Sequence, residues 1–181
     1  KLITYVAFLR AINVSGKRKV PMAELRAMCK KLSLQDVKTY IQSGNIVFKS
    51  SIAQTNDVAI LLHNEIQKHF DFDVPVIVKT VDDLSQIIEK NPFNSQEDIS
   101  ANKIYFVLLN SLPANELLEK LSEETFENEA YAVVDDCVYL KCSLGYGNAK
   151  LNNNLIERKL KVLATTRNYR TMNKMLEISN E

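Results

Sequence analysis

The order of apolar and polar positions near the N-terminus predicts a strand followed by a helix. A buried run at Tyr5–Leu9 ends at a polar loop. Apolar side chains then recur at helical spacing, at Met22, Leu25, Cys29 and Leu32. Pro21 suits the first turn of this helix, because its missing N–H is not needed there.

The next segment, "VKTYIQSGNIVFKS", predicts a β-hairpin. Its two β-rich runs are separated by Ser43, Gly44 and Asn45, and glycine and asparagine tolerate the positive φ of tight turns. A second helix follows, with one apolar face formed by Val58, Leu61, Leu62, Ile66 and Phe70. "VPVIVKT" then supplies a fourth strand, so the predicted order is βαββαβ.

The same pattern repeats in the second half of the chain. After a linking helix around residues 81–90 and the polar stretch "NPFNSQEDISANK", we predict a strand at "IYFVLLN" and a helix over residues 115–122. "YAVVDDCVYLKC" predicts a hairpin that turns at Asp135 and Asp136. A helix at residues 151–160, a short strand "VLAT" and a terminal helix "YRTMNKMLEI" complete the second series.

Two βαββαβ series predict the fold class. We expect an α+β protein with two ferredoxin-like subdomains in tandem, a linking helix and a C-terminal helix. The predicted boundaries are residues 1–80 for the N-terminal lobe, 81–100 for the linking helix and loop, and 101–181 for the C-terminal lobe with its appended helix.

This topology also predicts which loops are neighbours. In the first lobe, residues 13–19 should lie beside the turn at residues 43–45, because both follow strand ends at the same edge of the sheet. In the second lobe, the loop "SLGYGNAK" and the end of the last strand should share one edge, which would bring Lys150 near Arg167.

Charge is unevenly distributed, although the net charge of the 181 residues is only +1. Residues 1–49 carry +8, residues 50–147 carry −11 and residues 148–181 carry +4. Basic ends and an acidic middle either attract one another within the fold or form a cationic surface for an anionic partner.

Several classes of protein are disfavoured by the sequence. Four glycines cannot assemble a phosphate-binding P-loop or a dinucleotide-binding fingerprint. The three cysteines have no framework spacing, which favours a cytoplasmic location, and the longest N-terminal apolar run is too short to span a bilayer, so no membrane association is expected. His63 and His69 fall on different helix faces, so we predict no metal site and no cofactor.

The loop "RAINVSGKRK" is the first candidate binding segment. Arg10 ends a strand, Asn13 carries amide donors and Gly16 permits the backbone N–H groups to turn inward. Lys17 and Lys19, with an arginine between them, approach a helix N-terminus, where amides and the dipole favour anions. The alternative interpretation is a solvated loop with no ligand.

The segment "TTRNYRTMNK" is the second candidate. Thr166 and Asn168 are types that cap helices, and Arg167 and Arg170 place two guanidinium groups around the first turn of the last helix. The alternative is a well-capped helix whose arginines pair with acidic residues of the same protein. Strand tyrosines at positions 5, 40, 105 and 139 either pack in the core or across strands, or stack on bases.

Taken together, "YVAFLRAINVSGKRKVPMAEL", "VKTYIQSGNIVF", "KLNNNLIERKL" and "ATTRNYRTMNKM" resemble the bacterial DUF1697 family, a family without an assigned function. The resemblance implies a two-lobed α+β protein with ferredoxin-like topology. It marks the following positions: Arg10, Asn13, Gly16, Lys17, Met22, Gly44, Asn45, Lys150, Thr166, Arg167, Asn168 and Thr171. Ala11 and Ser15 stand where the family pattern commonly has glycine, which predicts a stiffer loop.

Three functions are compatible with these observations. The first is a protein that binds a phosphate-containing ligand, either a nucleotide or a nucleic-acid backbone, through basic loops. The residues predicted to bind it are Arg10, Asn13, Gly16, Lys17, Lys19, Gly44, Asn45, Lys150, Thr166, Arg167, Asn168 and Arg170. The second is an enzyme acting on a small anionic substrate between the lobes, and the third is a protein-interaction module. The sequence predicts no catalytic residue and no particular oligomeric state.

Overall fold

A computed structural model describes all residues from Lys1 to Glu181. The chain divides into two compact units. The first unit comprises Lys1–Gln86 together with Asn173–Glu181, and the second comprises Ile87–Met172. No helix is both long and apolar enough to cross a lipid bilayer.

The first unit contains a four-stranded antiparallel sheet in the order β2-β3-β1-β4. Its elements are β1 (Ile3–Leu9), α1 (Met22–Lys31), β2 (Gln35–Thr39), β3 (Asn45–Ser50), α2 (Thr55–Phe70) and β4 (Val76–Thr80). The linking helix α3 follows at Val81–Glu89. This is the predicted βαββαβ order with the strand arrangement of a ferredoxin-like fold.

The second unit contains a sheet with the corresponding order, β6-β7-β5-β8. Its elements are α4 (Gln96–Ser100), β5 (Ile104–Leu109), α5 (Asn115–Ser122), β6 (Glu129–Val134), β7 (Cys137–Cys142), α6 (Asn153–Leu160) and β8 (Ala164–Asn168). Helix α7 (Tyr169–Ser179) follows β8, and its residues from Asn173 onward belong to the first unit. The predicted fold class, two tandem ferredoxin-like subdomains in an α+β protein, is therefore confirmed.

Each unit has its own hydrophobic core between one sheet face and two helices. In the first unit, Tyr5, Ala7 and Leu9 of β1 meet Leu25 of α1 and Leu62 of α2 within one buried cluster. The opposite sheet face is buried as well, since Val6 and Phe8 are fully inaccessible. Alternate residues of a central strand point to opposite faces, so β1 reads as a nearly continuous apolar run.

Two elements differ from their predicted extents. The last strand is Ala164–Asn168 rather than the four residues of "VLAT", because the polar sequence Thr-Thr-Arg-Asn continues to pair with β5. The stretch predicted to be an irregular polar loop contains α4, whose first turn is capped by Ser95 Oγ accepting from Asp98 N–H. In both places side-chain polarity misled the prediction, because backbone pairing and a cap decided the local structure.

Candidate functional site

The β1–α1 loop, residues 10–21, lies beside the β2–β3 turn at one end of the first sheet. Leu9 N–H donates to the Gly44 carbonyl at 2.8 Å, and Asn13 Nδ2 donates to the Gln42 carbonyl at 2.7 Å. Arg10 N–H donates to the Pro75 carbonyl at 3.0 Å. The predicted proximity of the loop to the turn is confirmed at Asn13, and for the rest of residues 13–19 it stays a prediction.

Gly44 allows the two segments to approach so closely. Its φ is +85°, and a Cβ at this position would lie 2.6 Å from Leu9 Cβ and 2.9 Å from Ile12 Cδ1. Real Cβ atoms do not approach other carbons to such distances, so any larger residue would have to displace β1 or its loop. Gly44 therefore has a packing role that accounts for the glycine without a ligand.

The β1–α1 loop is tightly curled rather than extended. Five of its residues have positive φ: Ala11, Asn13, Ser15, Gly16 and Arg18. Its tip is a turn in which Lys17 N–H donates to the Val14 carbonyl at 2.9 Å, and both central residues have positive φ, as in a type I′ turn. The tip is thus a defined turn of the backbone.

The Asn13 side chain organises this loop. Its Oδ1 accepts from Val20 N–H at 2.8 Å, and its Nδ2 donates to the Val20 carbonyl at 3.0 Å as well as to Gln42. Both amide hydrogens and one acceptor position are thereby used within the protein. The ligand-binding role predicted for Asn13 stays a prediction, and the structure gives the residue a structural role.

The cations of the loop fall into two groups. Lys17 and Lys19 are exposed and belong to no ion pair. Arg18 is half-buried: Nη2 donates to the Asp73 carbonyl at 2.6 Å, and its guanidinium carbon lies 5.9 Å from the centre of the Phe72 ring. Arg18 therefore ties the loop to residues 71–75, whereas the two lysines extend their ammonium groups into solvent.

A histidine–carboxylate pair lies beside the same loop. His63 Nε2 is 2.6 Å from Asp73 Oδ1, next to the carbonyl that binds Arg18. Sequence reasoning considered His63 only as a metal ligand with His69. The pairing of His63 with Asp73 could not be predicted from the sequence. The two residues are ten positions apart, and their side chains meet only because the loop between α2 and β4 turns back.

Helix α1 starts directly after the loop. Its N-cap position is Pro21, which makes no side-chain hydrogen bond, and Glu24 lies in its first turn. A helix start leaves unpaired N–H groups with partial positive charge, and no capping side chain covers them here. The loop cations and the helix start thus contribute electrostatic potential of the same sign at this end of the unit.

Asn45 has a structural role like that of Asn13. It is fully buried at the start of β3, and its Nδ2 donates to the Tyr40 carbonyl at 3.0 Å and to Ser43 Oγ at 2.9 Å. Both amide hydrogens hold the turn closed. Its predicted role in ligand binding stays a prediction.

In the second unit, Thr166 belongs to a compact polar network. Thr166 Oγ1 donates to Asn153 Oδ1 at 2.8 Å and is 3.4 Å from the Tyr146 hydroxyl, which accepts from Asn153 N–H at 2.9 Å. The Tyr146 ring stacks on Tyr105 with a centroid separation of 4.8 Å. This network joins the loop after β7 to β8 and to the start of α6.

Arg167 points to the opposite face of the same strand and is buried. Its Nη1 donates to Thr165 Oγ1 at 2.8 Å and to the Thr166 carbonyl at 2.9 Å. Burial lowers the pKa of the guanidinium to about 10, so it remains charged at neutral pH. Asn168 caps α7 by accepting from Thr171 N–H at 2.9 Å.

Lys150 and Arg170, the other two cations predicted to bind a ligand in the second unit, are exposed. Lys150 N–H donates to the Glu129 carboxylate at 2.9 Å, which fixes the backbone of the loop. The ends of β7 and β8 share one edge of the sheet, because Ile104 pairs with Lys141 and Tyr105 pairs with Asn168. The proximity of the Lys150 and Arg167 side chains stays a prediction.

A protein-family comparison assigns this architecture to a family. The model described as "Protein of unknown function (DUF1697)" matches residues 2–139. The chain belongs to the DUF1697 family. The matched range includes the β1–α1 loop and the β2–β3 turn of this DUF1697 protein, whereas its two C-terminal motifs lie beyond it.

The DUF1697 chain is similar along its whole length to a protein of known structure. A conserved bacterial protein, SP0830 from Streptococcus pneumoniae, is 24% identical, with 99% of each chain covered and a TM-score of 0.78. At this identity the similarity supports the fold alone. None of the curated proteins matches the chain.

Membership in DUF1697 bears on the two departures from the family pattern. Ala11 and Ser15 adopt φ values of +57° and +51°, the region that glycine enters without steric cost. The glycines that the resemblance led us to expect at these positions would thus match the backbone. This DUF1697 chain adopts the curled loop although Ala11 and Ser15 are sterically disfavoured at positive φ.

Two of the predicted strand tyrosines of the DUF1697 chain pack in the core, whereas Tyr105 is half-buried and Tyr40 lies just beyond the end of β2. Tyr5 and Tyr139 are buried, and the Tyr139 hydroxyl donates to the Ile87 carbonyl at 2.6 Å. All three cysteines are buried without a disulfide, and burial raises the pKa of Cys29 to about 12 and that of Cys142 to about 11. Such thiols are poor nucleophiles near neutral pH.

Proposed function

We propose that this protein binds a phosphate-containing ligand, a nucleotide or a nucleic-acid backbone, through the β1–α1 loop of its first unit. The observation that carries the proposal is the pair of exposed lysines, Lys17 and Lys19, which have no acidic partner. Ammonium groups without a carboxylate partner remain available to a phosphate group.

Two features of the loop strengthen this interpretation. The Asn13 hydrogen bonds and the Val14–Lys17 turn fix the backbone on which the lysines stand, so less backbone entropy is lost on binding. The uncapped start of α1 adds positive potential of the same sign. Arg18, between the two lysines in sequence, adds a further positive charge to the loop.

The predicted ligand residues divide into contact and support roles under this proposal. Lys17 and Lys19 contact phosphate, and the Gly16 backbone lies at the open tip directly before Lys17. Asn13, Gly44 and Asn45 hold the loop and the turn together. Lys150 and Arg170 of the second unit remain candidates for contacts of their own, and the proposal does not depend on them.

The test compares two double variants that change the net charge equally. Lys17→Ala with Lys19→Ala removes the loop cations, whereas Lys30→Ala with Lys31→Ala removes exposed lysines from the other end of α1. Fluorescence titrations at low salt with nucleotides and with single-stranded RNA and DNA should show a loss of about tenfold or more in affinity for the loop variant. The control variant should bind nearly as well as the unmodified protein.

Salt dependence gives a second readout of the same proposal. Two or three phosphate contacts to a single strand predict that affinity falls about seven- to twentyfold between about 50 and about 200 mM salt. Equal loss of affinity in both double variants would indicate nonspecific charge attraction. No binding of any phosphate-containing probe at low salt would reject the proposal.

A further inference from the structure

The tip of the cationic loop also carries exposed apolar side chains. Val14, in the turn of the β1–α1 loop, is 53% exposed, and Ile41, in the β2–β3 turn, is 50% exposed. The hydrogen bond between Asn13 and Gln42 joins the residues directly adjoining them. Two aliphatic side chains therefore stand on neighbouring turns, and Val14 shares its turn with Lys17.

Ile41 is an unfavourable residue for the position it occupies. Its φ is +51°, in the left-handed region that β-branched residues rarely enter, and half of its surface faces solvent. Asparagine or glycine would relieve the backbone and would also be better solvated. Folding therefore gives no reason for isoleucine here, which points to contact with a partner.

The shape of this surface favours an extended partner over a small enclosed one. A Cβ built on Gly16 at the tip would meet no atom within 4 Å, so the space around the turn is open. Small ligands bind mainly in concave sites that surround them, whereas an extended chain can cross a convex tip. The partner must supply negative charge to the lysines and an apolar face to Ile41.

We infer that the partner is a single-stranded nucleic acid, with phosphates at Lys17 and Lys19 and an unstacked base against Ile41 and Val14. An unpaired base presents its flat apolar face close to the phosphates of its own strand, whereas the faces of duplex bases are stacked on their neighbours. This inference rests on the proposed function and adds base contact to phosphate contact.

The test separates the base from the backbone. Fluorescence anisotropy compares a labelled oligothymidylate of about 15 nucleotides with an abasic oligomer of the same length and charge. The unmodified protein should bind the oligothymidylate about five- to tenfold more tightly than the abasic chain. Ile41→Asn should remove most of this preference while leaving binding of the abasic chain unchanged.

Two observations would show that a loss of affinity in Ile41→Asn is not caused by misfolding. Ile41→Asn relieves the left-handed backbone, so its thermal unfolding midpoint should rise while its affinity for the oligothymidylate falls. Ile60→Asn is the matched control, because Ile60 on α2 is also 50% exposed but has no place in either loop. It should leave the preference for bases unchanged.

The outcomes distinguish the inference from the function on which it rests. If both oligomers bind equally and both depend on Lys17 and Lys19, the phosphate proposal stands and the base contact is wrong. If neither oligomer binds, both fail. If Ile41→Asn abolishes binding to vesicles of phosphatidylglycerol and phosphatidylcholine but not to the oligothymidylate, the apolar tip serves a membrane surface and the inference is overturned.

Discussion

The loops that follow the first strand of each unit occupy the same place in the same fold, yet they differ in length and charge. In the first unit, Leu9 N–H donates to Gly44 and Arg10 N–H to Pro75. In the second, Leu109 N–H donates to Asp136 and Asn110 N–H to Leu163. The first loop then runs over residues 10–21 with four cations, whereas the second, residues 110–114, has no charged side chain.

This difference shows that the fold does not need a long loop here. The short loop connects its strand to α5 without a positive-φ residue, while the long one holds five. Non-glycine residues in that region carry strain of about 1 kcal/mol or more each. A loop that is longer, more charged and more strained than its structural counterpart requires is where we place the function.

The largest expected effect on stability comes from Gly44, where the β2–β3 turn packs against the end of β1. Gly44→Ala should lower the free energy of unfolding by about 3 kcal/mol, because its Cβ would overlap Leu9 and its φ of +85° suits glycine. The corresponding residue in the second unit, Asp136, is not glycine, and Asp136→Ala should cost less than half as much. Urea denaturation measures both, and equal costs would contradict the packing role of Gly44.

The next effect concerns the residue that organises the long loop. Asn13→Ala removes three hydrogen bonds and should cost about 2–3 kcal/mol. Asn110 Oδ1 in the short loop accepts from Leu163 N–H at 3.1 Å and, in an exposed and longer contact of 3.4 Å, from Ser111 Oγ, so Asn110→Ala should cost about 1 kcal/mol. Urea denaturation of the two variants should rank them in this order. The reverse order would show that the long loop is not held by Asn13.

Substitution by glycine should have a smaller effect on stability, with opposite signs in the two loops. Ala11→Gly should stabilise the protein by about 0.5–1 kcal/mol, because Ala11 has a φ of +57°. Ser111 follows Asn110 as Ala11 follows Arg10, and its φ is not positive. Ser111→Gly should therefore destabilise by a similar amount, since glycine gains freedom in the unfolded chain. Thermal unfolding midpoints that move in the same direction would reject this account of strain.

The smallest expected effect is on the pH dependence of stability, and it comes from one buried thiol in the core of each unit. Burial raises the pKa of Cys29 in the first unit from 9.0 to about 12 and that of Cys142 in the second to about 11. Each thiol therefore contributes stability that is present below pH 9 and is lost as pH rises toward the folded-state pKa, because only the unfolded chain ionises readily.

Substitution of either thiol should flatten the decline in stability between about pH 8 and about pH 10.5. Cys29→Ala should flatten it at least as much as Cys142→Ala, because its pKa is raised further. The slopes, measured by urea denaturation across pH, are independent of the constant cost of each cavity. Unchanged slopes in both variants would show that neither thiol contributes to alkaline destabilisation.

Much of the fold could be predicted because it rests on periodic burial. Residues 115–122 form α5 as predicted, and the hairpin turns at Asp135 and Asp136. The predicted neighbours in the first unit, the β1–α1 loop and the turn at Gly44, follow from strand order alone. The polar C-terminal half of β8 and the short helix α4 were not predicted. Hydrophobic periodicity does not show the backbone pairing that extends β8 or the side-chain cap that begins α4.

The roles of polar side chains could not be predicted in the same way. Asn13 and Asn45 carry amide donors in the sequence, but which carbonyls take those hydrogens depends on the turn of the chain around them. Arg167 lies beside an exposed terminal helix in sequence, yet strand alternation turns it to a buried face. Ile41 could have been noticed in the sequence, because a β-branched residue is unusual close to a glycine-containing turn. The prediction did not use this feature.

The comparison between the two loops is tested most directly by nuclear magnetic resonance. Backbone amide signals of the full-length protein are followed during titration with the single-stranded oligothymidylate at low salt. We expect signals of residues 13–20 and 41–42 to shift progressively, while those of residues 110–114 stay in place. Shifts confined to the second unit, or spread evenly over both loops, would contradict the claim that the long cationic loop of the first unit is the binding site.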